Sequence, residues 1–317
     1  MKQVDLGNKT AFGEFILLGF SDLPQYQTVL FVVFLLILLI TLLGNSVIIT
    51  ILSLSPQLHN PMYFFLGNLS FLDICLTLVT VPQMLKNFLV EKKSISFSGC
   101  MAQIYFFLTF SSTEDFLLAV MAFDRYVAIC NPLHYTMLMK KRLCIQLVVG
   151  SWVTATLDAI LNTVLTSRLS FCGPNKIDHF LCEMTPLFKL SCSDIFLNEM
   201  VIFTEGTLVV MGSFSVILVS YVRIITAILK IHSAEGRSKA FSTCSSHLVV
   251  VTLYFGTTIF MYFRPSSSYS LTKDKVASMM YTILAPMLNP FIYSLRNNEV
   301  KGTLRRVIFE RIFSQKM

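Results

Sequence analysis

The sequence predicts an all-α membrane protein, a seven-transmembrane helix bundle followed by a short amphipathic C-terminal helix. Three observations predict it. Only 14% of the residues are charged, against about a quarter in an ordinary soluble domain. The apolar residues make up 54% of the chain and come in long blocks, as from Val29 to Ile51, broken only by Thr41, Gly44, Asn45, Ser46 and Thr50. These blocks lack the two-residue alternation of a spanning strand. A run of about 20 apolar residues crosses a bilayer core as a helix, which satisfies its own backbone hydrogen bonds there.

Residues 1–26 form a polar tail carrying Lys2, Asp5, Lys9, Glu14 and Asp22. Its apolar runs are too short for a cleaved signal peptide, so the first span is expected to act as an uncleaved anchor. The bundle occupies 27–295, with spans at 27–53, 61–85, 99–130, 143–166, 198–229, 238–262 and 272–295. The first, third and fifth are cleanly apolar, whereas the second, sixth and seventh include polar residues or Pro. In the tail 296–317, Arg296, Arg305 and Arg306 alternate with Val307, Ile308, Ile312 and Phe313, a pattern that lies along a membrane surface. No stretch between spans is long enough for a separate soluble domain, and the spans are too dissimilar to be repeats.

Seven spans put the termini on opposite sides. With the N-terminus outside, fourteen Lys and Arg face the cytosol and eleven do not, a modest bias in the sense of the positive-inside rule. Asn8-Lys9-Thr10 is a glycosylation sequon on the polar tail, which suits a lumenal tail. Asn68-Leu69-Ser70 also matches but lies inside a span. The expected location is therefore the plasma membrane, multi-pass, with the N-terminus extracellular and the C-terminus cytoplasmic. The net charge of +7 does not call for nucleic acid as a partner. A basic face beside anionic membrane lipid accounts for it.

Cysteine placement agrees with this orientation. Cys172, Cys182 and Cys192 fall between spans four and five, and Cys100 opens span three on the same side. Four cysteines in an oxidising compartment suggest two disulfides, for which three pairings exist. Cys75, Cys130, Cys144 and Cys244 read as free buried thiols. His179, Cys182 and Glu183 form a loose metal-ligand cluster, but a cysteine engaged in a disulfide is a poor ligand.

Ionisable residues inside spans cost several kcal/mol unless paired or hydrated, and so point to function. Asp73 lies roughly 18 Å along span two from Pro61, and Glu114 roughly 16 Å along span three from Arg125, at about 1.5 Å per residue. Asn45 and Asn289 reach comparable heights. The four suggest one polar layer in the bundle interior. Two adjacent carboxylates need a cation or a shared proton, so Asp73 and Glu114 are expected to hold a sodium ion or a proton. No organic cofactor is expected.

Five motifs mark the chain. Leu58-His59-Asn60-Pro61-Met62-Tyr63-Phe64-Phe65 lies before and in span two. Met121-Ala122-Phe123-Asp124-Arg125-Tyr126-Val127-Ala128-Ile129-Cys130-Asn131-Pro132-Leu133-His134-Tyr135 closes span three. Ser220-Tyr221 lies in span five, Lys239-Ala240-Phe241-Ser242-Thr243-Cys244-Ser245-Ser246-His247 opens span six, and Pro286-Met287-Leu288-Asn289-Pro290-Phe291-Ile292-Tyr293 closes span seven. In this order, over nearly the whole chain, the set resembles vertebrate odorant receptors, a branch of the rhodopsin-like (class A) G-protein-coupled receptors.

The resemblance implies a receptor, not an enzyme, with a small volatile odorant and a heterotrimeric stimulatory (olfactory-type) G protein as partners, and a rise in cAMP as output. It implies the disulfides Cys100–Cys182 and Cys172–Cys192. Asp124, Arg125, Tyr126, Tyr221, Asn289, Pro290 and Tyr293 correspond to the G-protein switch, Asp73 with Glu114 to the intramembrane cation site, and Tyr254 to an aromatic lever beneath the ligand. The chain departs from the family in having Phe123 where Tyr is usual and in carrying Asp115 beside Glu114.

A small-molecule pocket is mostly apolar with a few polar anchors. The expected lining, one to two turns above the polar layer, is Ile104, Phe107, Leu108, Ser111 and Ser112 on span three and Glu205, Gly206 and Val209 on span five. Tyr254, Thr257, Thr258 and Met261 complete it on span six, with Met279 and Thr282 on span seven. Glu205 is the sharpest candidate anchor, for an amine or a hydroxyl. Alternative readings are a non-olfactory small-molecule receptor of the same class, or an ion or solute transporter. The transporter is disfavoured because no inverted repeat or matched pair of broken helices is present. An intramembrane enzyme fails for want of a nucleophile–base or metal spacing at one depth.

Overall fold

The computed structural model describes residues 13–21, 24–58, 60–172, 174–262, 271–296 and 300–303. The sequon at Asn8, most of the tail 296–317 and the side chain of Met261 lie outside what is described.

Seven long helices carry the fold, each beginning and ending within about one turn of its expected limits. They are α1 (Gln27–Leu54), α2 (Pro61–Leu89), α3 (Phe97–Cys130), α4 (Lys141–Ser167), α5, α6 (Ala234–Tyr262) and α7. α5 runs Phe196–Gly206, a π-helical turn Thr207–Met211, then Gly212–Leu229; α7 runs Leu271–Met279, a π-helical turn Met280–Leu284, then Ala285–Arg296. Six of the seven are long and apolar enough to cross a membrane, and α6 offers the shorter apolar stretch Cys244–Ile259. Its polar start explains the shortfall: Glu235, Arg237 and Lys239 precede the apolar part.

Local chemistry sets the helix starts. Asn60 caps α2 by accepting from the Tyr63 backbone N–H at 3.2 Å, with Pro61 in the first turn, the position where its missing N–H costs nothing. Ser96 caps α3 through the Gly99 N–H at 3.1 Å. Pro82 sits inside α2 and Pro290 inside α7.

Burial separates the centre of the bundle from its rim. In the most apolar window of α3, 61% of residues are buried, against 22% in α1. α3 is thus the hub. α1 turns Val29, Val32, Leu36, Leu39 and Leu43 outward, as a helix bathed in lipid does. Gly44 lets α1 approach α7 closely, since a Cβ there would meet the Pro290 ring at 3.1 Å. Lipid offers apolar surface as good as a protein core, so small residues that permit close contact hold such helices together.

One end of the bundle carries structure that an all-α reading of the chain leaves out. β1 (Glu14–Leu17) pairs antiparallel with β2 (Ser94–Ser96) and parallel with β3 (Lys176–Ile177). Phe15 and Leu17 are fully buried beneath this small sheet, packed with Ile95, Cys100 and Ile177. Residues 14–17, within the stretch expected as the N-terminal tail, thus form a strand with a buried face. The strands are too short, at two to four residues, for alternation to be read from sequence.

Candidate functional site

Two disulfides, Cys100–Cys182 and Cys172–Cys192, tie the α4–α5 loop to the top of α3 and to itself. Cys75, Cys130, Cys144 and Cys244 are free. Polar contacts fix the loop further. The Cys182 N–H donates to Gln103 Oε1 at 2.9 Å, and Gln103 Nε2 donates to the Val79 carbonyl at 2.9 Å. Lys275 Nζ, on α7, reaches Asp178 at 2.6 Å and the Gly19 carbonyl at 2.9 Å, while Ser278 donates to Glu183 at 2.9 Å. The loop with β1 thereby forms a roof. His179 packs on Phe180 with its Nε2 3.9 Å from Glu183. With Cys182 bonded to Cys100, no group of three metal-ligating side chains forms among the described residues.

Beneath the roof lies a cavity of about 700 Å³, within the usual range for small-molecule sites. From α3 it is lined by Ile104, Phe107, Leu108, Ser111 and Ser112, and from α5 by Glu205, Gly206 and Val209. From α6 it is lined by Tyr254 and Thr258. The π-helical turn of α5 begins directly after Gly206, so the helix is locally over-wide where it borders the cavity. Tyr254 donates to the Ser111 carbonyl at 3.2 Å and meets Tyr281 edge-on, linking α6, α3 and α7 at the cavity wall.

Three residues expected in the lining stand elsewhere. Thr282 is fully buried and donates to its own helix at Ser278. Met279 packs with the cluster around Phe34 and Val81. Thr257 donates to the Leu253 and Tyr254 carbonyls of its own helix. All three lie a turn or a face away from residues that do line it, an offset that spacing along one helix does not resolve without knowing how that helix is rotated. Conversely, Asp115, Asp158, Asn162 and Tyr281 line the cavity but were not among the expected residues. Asn162 Nδ2 bridges Glu205 Oε2 at 2.7 Å and Asp158 Oδ1 at 3.1 Å. An acid and an amide four residues apart on α4 carry the only sequence signal for that pair.

Deeper in the bundle lies the polar layer. Asn289 Nδ2 donates to both oxygens of Asp73, at 3.0 and 3.1 Å. Asn45 Nδ2 donates to the Thr41 and Pro286 carbonyls, both at 3.1 Å. Asp73, Glu114 and Asn45 are fully buried, and Glu114 Oε1, Glu114 Oε2 and Asn45 Oδ1 accept no hydrogen bond from the described residues. Orphaned buried oxygens are costly, and an all-oxygen donor set suits a hard cation or a proton. The residues fit such a group.

At the far end of α3, Arg125 Nη2 pairs with Asp124 Oδ2 at 2.6 Å, both side chains nearly inaccessible. Tyr135, in the loop that follows, donates to the other Asp124 oxygen at 2.8 Å. Burial, with the Asp124 charge beside it, raises the Tyr135 phenol above its usual range. Tyr126 is half-buried beside Phe123. Tyr221 on α5 meets His247 Nδ1 on α6 at 2.8 Å, and His247 Nε2 meets the Leu118 carbonyl of α3 at 3.1 Å. Tyr293 is buried, its hydroxyl without a partner among the described residues. The His247 pin escaped notice in the sequence, where the residue is simply the last of a motif.

Comparison with known proteins bears on this arrangement. The profile of the olfactory receptor family matches residues 34–311. Olfactory receptor 1F1 of Homo sapiens is 53% identical over 307 residues, covering 97% of this chain and 98% of that protein. Olfactory receptor 1f45 of Rattus norvegicus is 52% identical over 308 residues, covering 97% and 98%. Among solved structures, squid rhodopsin superposes with a TM-score of 0.70 at 17% identity, over 90% of this chain and 86% of that one.

Proposed function

The chain belongs to the olfactory receptor family, and from that premise we propose that it binds a small, mostly apolar odorant in the cavity beneath the roof and activates a stimulatory, olfactory-type G protein to raise cAMP. It is a multi-pass signalling receptor, not an enzyme. In this reading the roof and N-terminus face outward, and the Asp124–Arg125–Tyr126 end of α3 faces the cytosol.

The observation that carries the reading is a series of buried contacts that pins α6 to α3 at two levels between the cavity and Arg125. Tyr254 touches the cavity and bonds α3 at Ser111. Seven residues further toward the other end of α6, His247 bonds α3 again at Leu118 and α5 at Tyr221. Seven residues beyond Leu118 on α3 is Arg125, held by Asp124. A ligand shifts a two-state equilibrium only through its differential affinity for the two states. An odorant drawn tight between Ser111 and Tyr254 rotates α6, releases the His247 pin and frees Arg125 for the G protein. Tyr221, Tyr293 and the Asn289–Pro290 segment of α7 rearrange with it, and Tyr126 takes part in the exposed face.

Asp73 and Glu114 would hold a sodium ion or a shared proton with Asn289 and Asn45 about it. Such a group supplies charge neutralisation that keeps the layer compact in the resting state.

The test is Arg125→Ala in cells, matched for surface expression and challenged with an odorant panel. The account expects the cAMP response to vanish. A response that survives refutes it.

A further inference from the structure

The cavity has an electrical asymmetry that its apolar walls do not require. Six carboxyl residues line it: Asp115, Asp158, Asp178, Glu183, Glu199 and Glu205. Among the described residues, the only Lys or Arg that line it are Lys176 and Lys189, and both sit in the roof loop. Two of the acids are already engaged there, Asp178 with Lys275 and Glu183 with Ser278. His179, also of the roof, stacks on Phe180. Among the described residues, the charged groups that the long helices present to the cavity are all acids.

These acids are held in place. Asp158 on α4 and Glu205 on α5 share Asn162 Nδ2, at 3.1 and 2.7 Å, and Asp158 interacts with both Glu205 and Ser112. The two carboxyls are also within hydrogen-bonding reach of each other, so a cation or a shared proton must lie between them. One helical turn deeper than Ser112 on α3, Asp115 is 95% buried, lines the same cavity, and has an Oδ1 with no hydrogen-bond partner among the described residues. Neither Cys100–Arg125 on α3 nor Arg142–Arg168 on α4 contains an intervening Lys or Arg, and none lies between Lys189 and Arg223 across α5. A concave, low-dielectric site lined by one sign of charge focuses its field on the occupant. Phe107, Tyr254 and Tyr281 add aromatic faces, which attract an organic cation further.

We propose that this cavity selects small organic amines, with the ammonium group seated on the Asp158–Glu205 pair, Asp115 adding negative charge from below, and the hydrocarbon part against Ile104, Phe107 and Leu108. This rests on reading the cavity as the ligand site. It narrows the ligand from any apolar odorant to one carrying a positive head. The ammonium donates hydrogen bonds to both carboxylates and neutralises the pair, the proton they share in its absence leaving to solvent, which an alcohol or a ketone cannot do. Charge-assisted bonds of this kind are about twice as strong as neutral ones.

Binding is measured on the purified full chain, without G protein, by ligand-induced rise in Tm and by titration. n-Hexylamine, cyclohexylamine and benzylamine are compared with 1-hexanol, cyclohexanol and benzyl alcohol, and with the neutral N-acetylated amines. The expectation is an amine preference of at least about tenfold over the matched alcohol, equivalent to about 1.4 kcal/mol, lost on N-acetylation. Glu205→Gln and Asp158→Asn each reduce that preference by about tenfold, and Asp115→Asn by less. Equal binding of amine and alcohol, no binding of any amine, or full amine preference in Glu205→Gln overturns the proposal. The comparison on the unaltered chain decides even where a variant fails to fold. A chain that binds the amines but raises no cAMP refutes the signalling reading alone. One that signals to the alcohols and not to the amines refutes only the amine assignment.

Discussion

His247→Phe tests the link between cavity and switch most directly. The imidazole is buried at 3% exposure and lies nearly parallel to the Tyr221 ring, with centroids 5.8 Å apart and planes 10° off. Phe retains that packing and removes only the two polar contacts. The Leu118 carbonyl can only accept, so Nε2 carries the proton and donates at 3.1 Å, which leaves Nδ1 to accept from the Tyr221 hydroxyl at 2.8 Å. Each such bond contributes about 1 kcal/mol net. The loss is tempered on both sides, because the Tyr221 hydroxyl can turn its proton to the Cys244 carbonyl at 3.3 Å and a helical carbonyl already has a backbone partner. The ceiling is about 2 kcal/mol, with both bonds present only in the resting state, and it multiplies the active-to-resting ratio by roughly 30, since about 1.4 kcal/mol is a factor of ten. An active fraction of about 1% would rise to about a quarter, by ordinary population-shift arithmetic. Basal cAMP normalised to surface receptor reads this directly. Tyr221→Phe should give a smaller rise, and the double variant should fall short of the sum because the two residues share one bond. Basal cAMP unchanged in His247→Phe at equal surface expression would refute the pin.

Two further outcomes follow from the packing and the polar layer. Glu114→Ala removes the two orphaned oxygens beside Asp73 and should abolish any dependence of the odorant dose–response on sodium; a sodium dependence that persists excludes Glu114 as part of that site. Gly44→Leu should lower the Tm and the surface level by forcing α1 off Pro290, in line with the 1–3 kcal/mol typical of overpacking, with Gly44→Ala intermediate because its Cβ would sit only a few tenths of an ångström too near.

Much of the fold was legible because the bilayer imposes a simple rule. A helix that must span lipid announces itself by length and hydropathy, and α1, α3 and α5 did so most cleanly. α6 was harder, since only Cys244–Ile259 is strongly apolar and the span expected at 238–262 contains polar residues. The sheet at the roof was invisible. Its strands are held by long-range partners, Glu14 with Ser96 and Leu17 with Ile177, and no local period encodes such a pairing.

For the cavity, depth was legible and azimuth was not. Counting at about 1.5 Å per residue ranks residues by height, and ten of the expected fourteen line the cavity. Rotation about a helix axis is set by its neighbours, which is why Thr282 and Met279 faced elsewhere while Asp158, on a helix given no role, faced in. The charged residues make the same point in another form. Read singly along the chain, Asp115, Asp158 and Glu205 are three costly exceptions in three spans. α3, α4 and α5 bring all three to one cavity, and a cost that each would bear alone becomes a shared field for which an organic cation is the natural counterion.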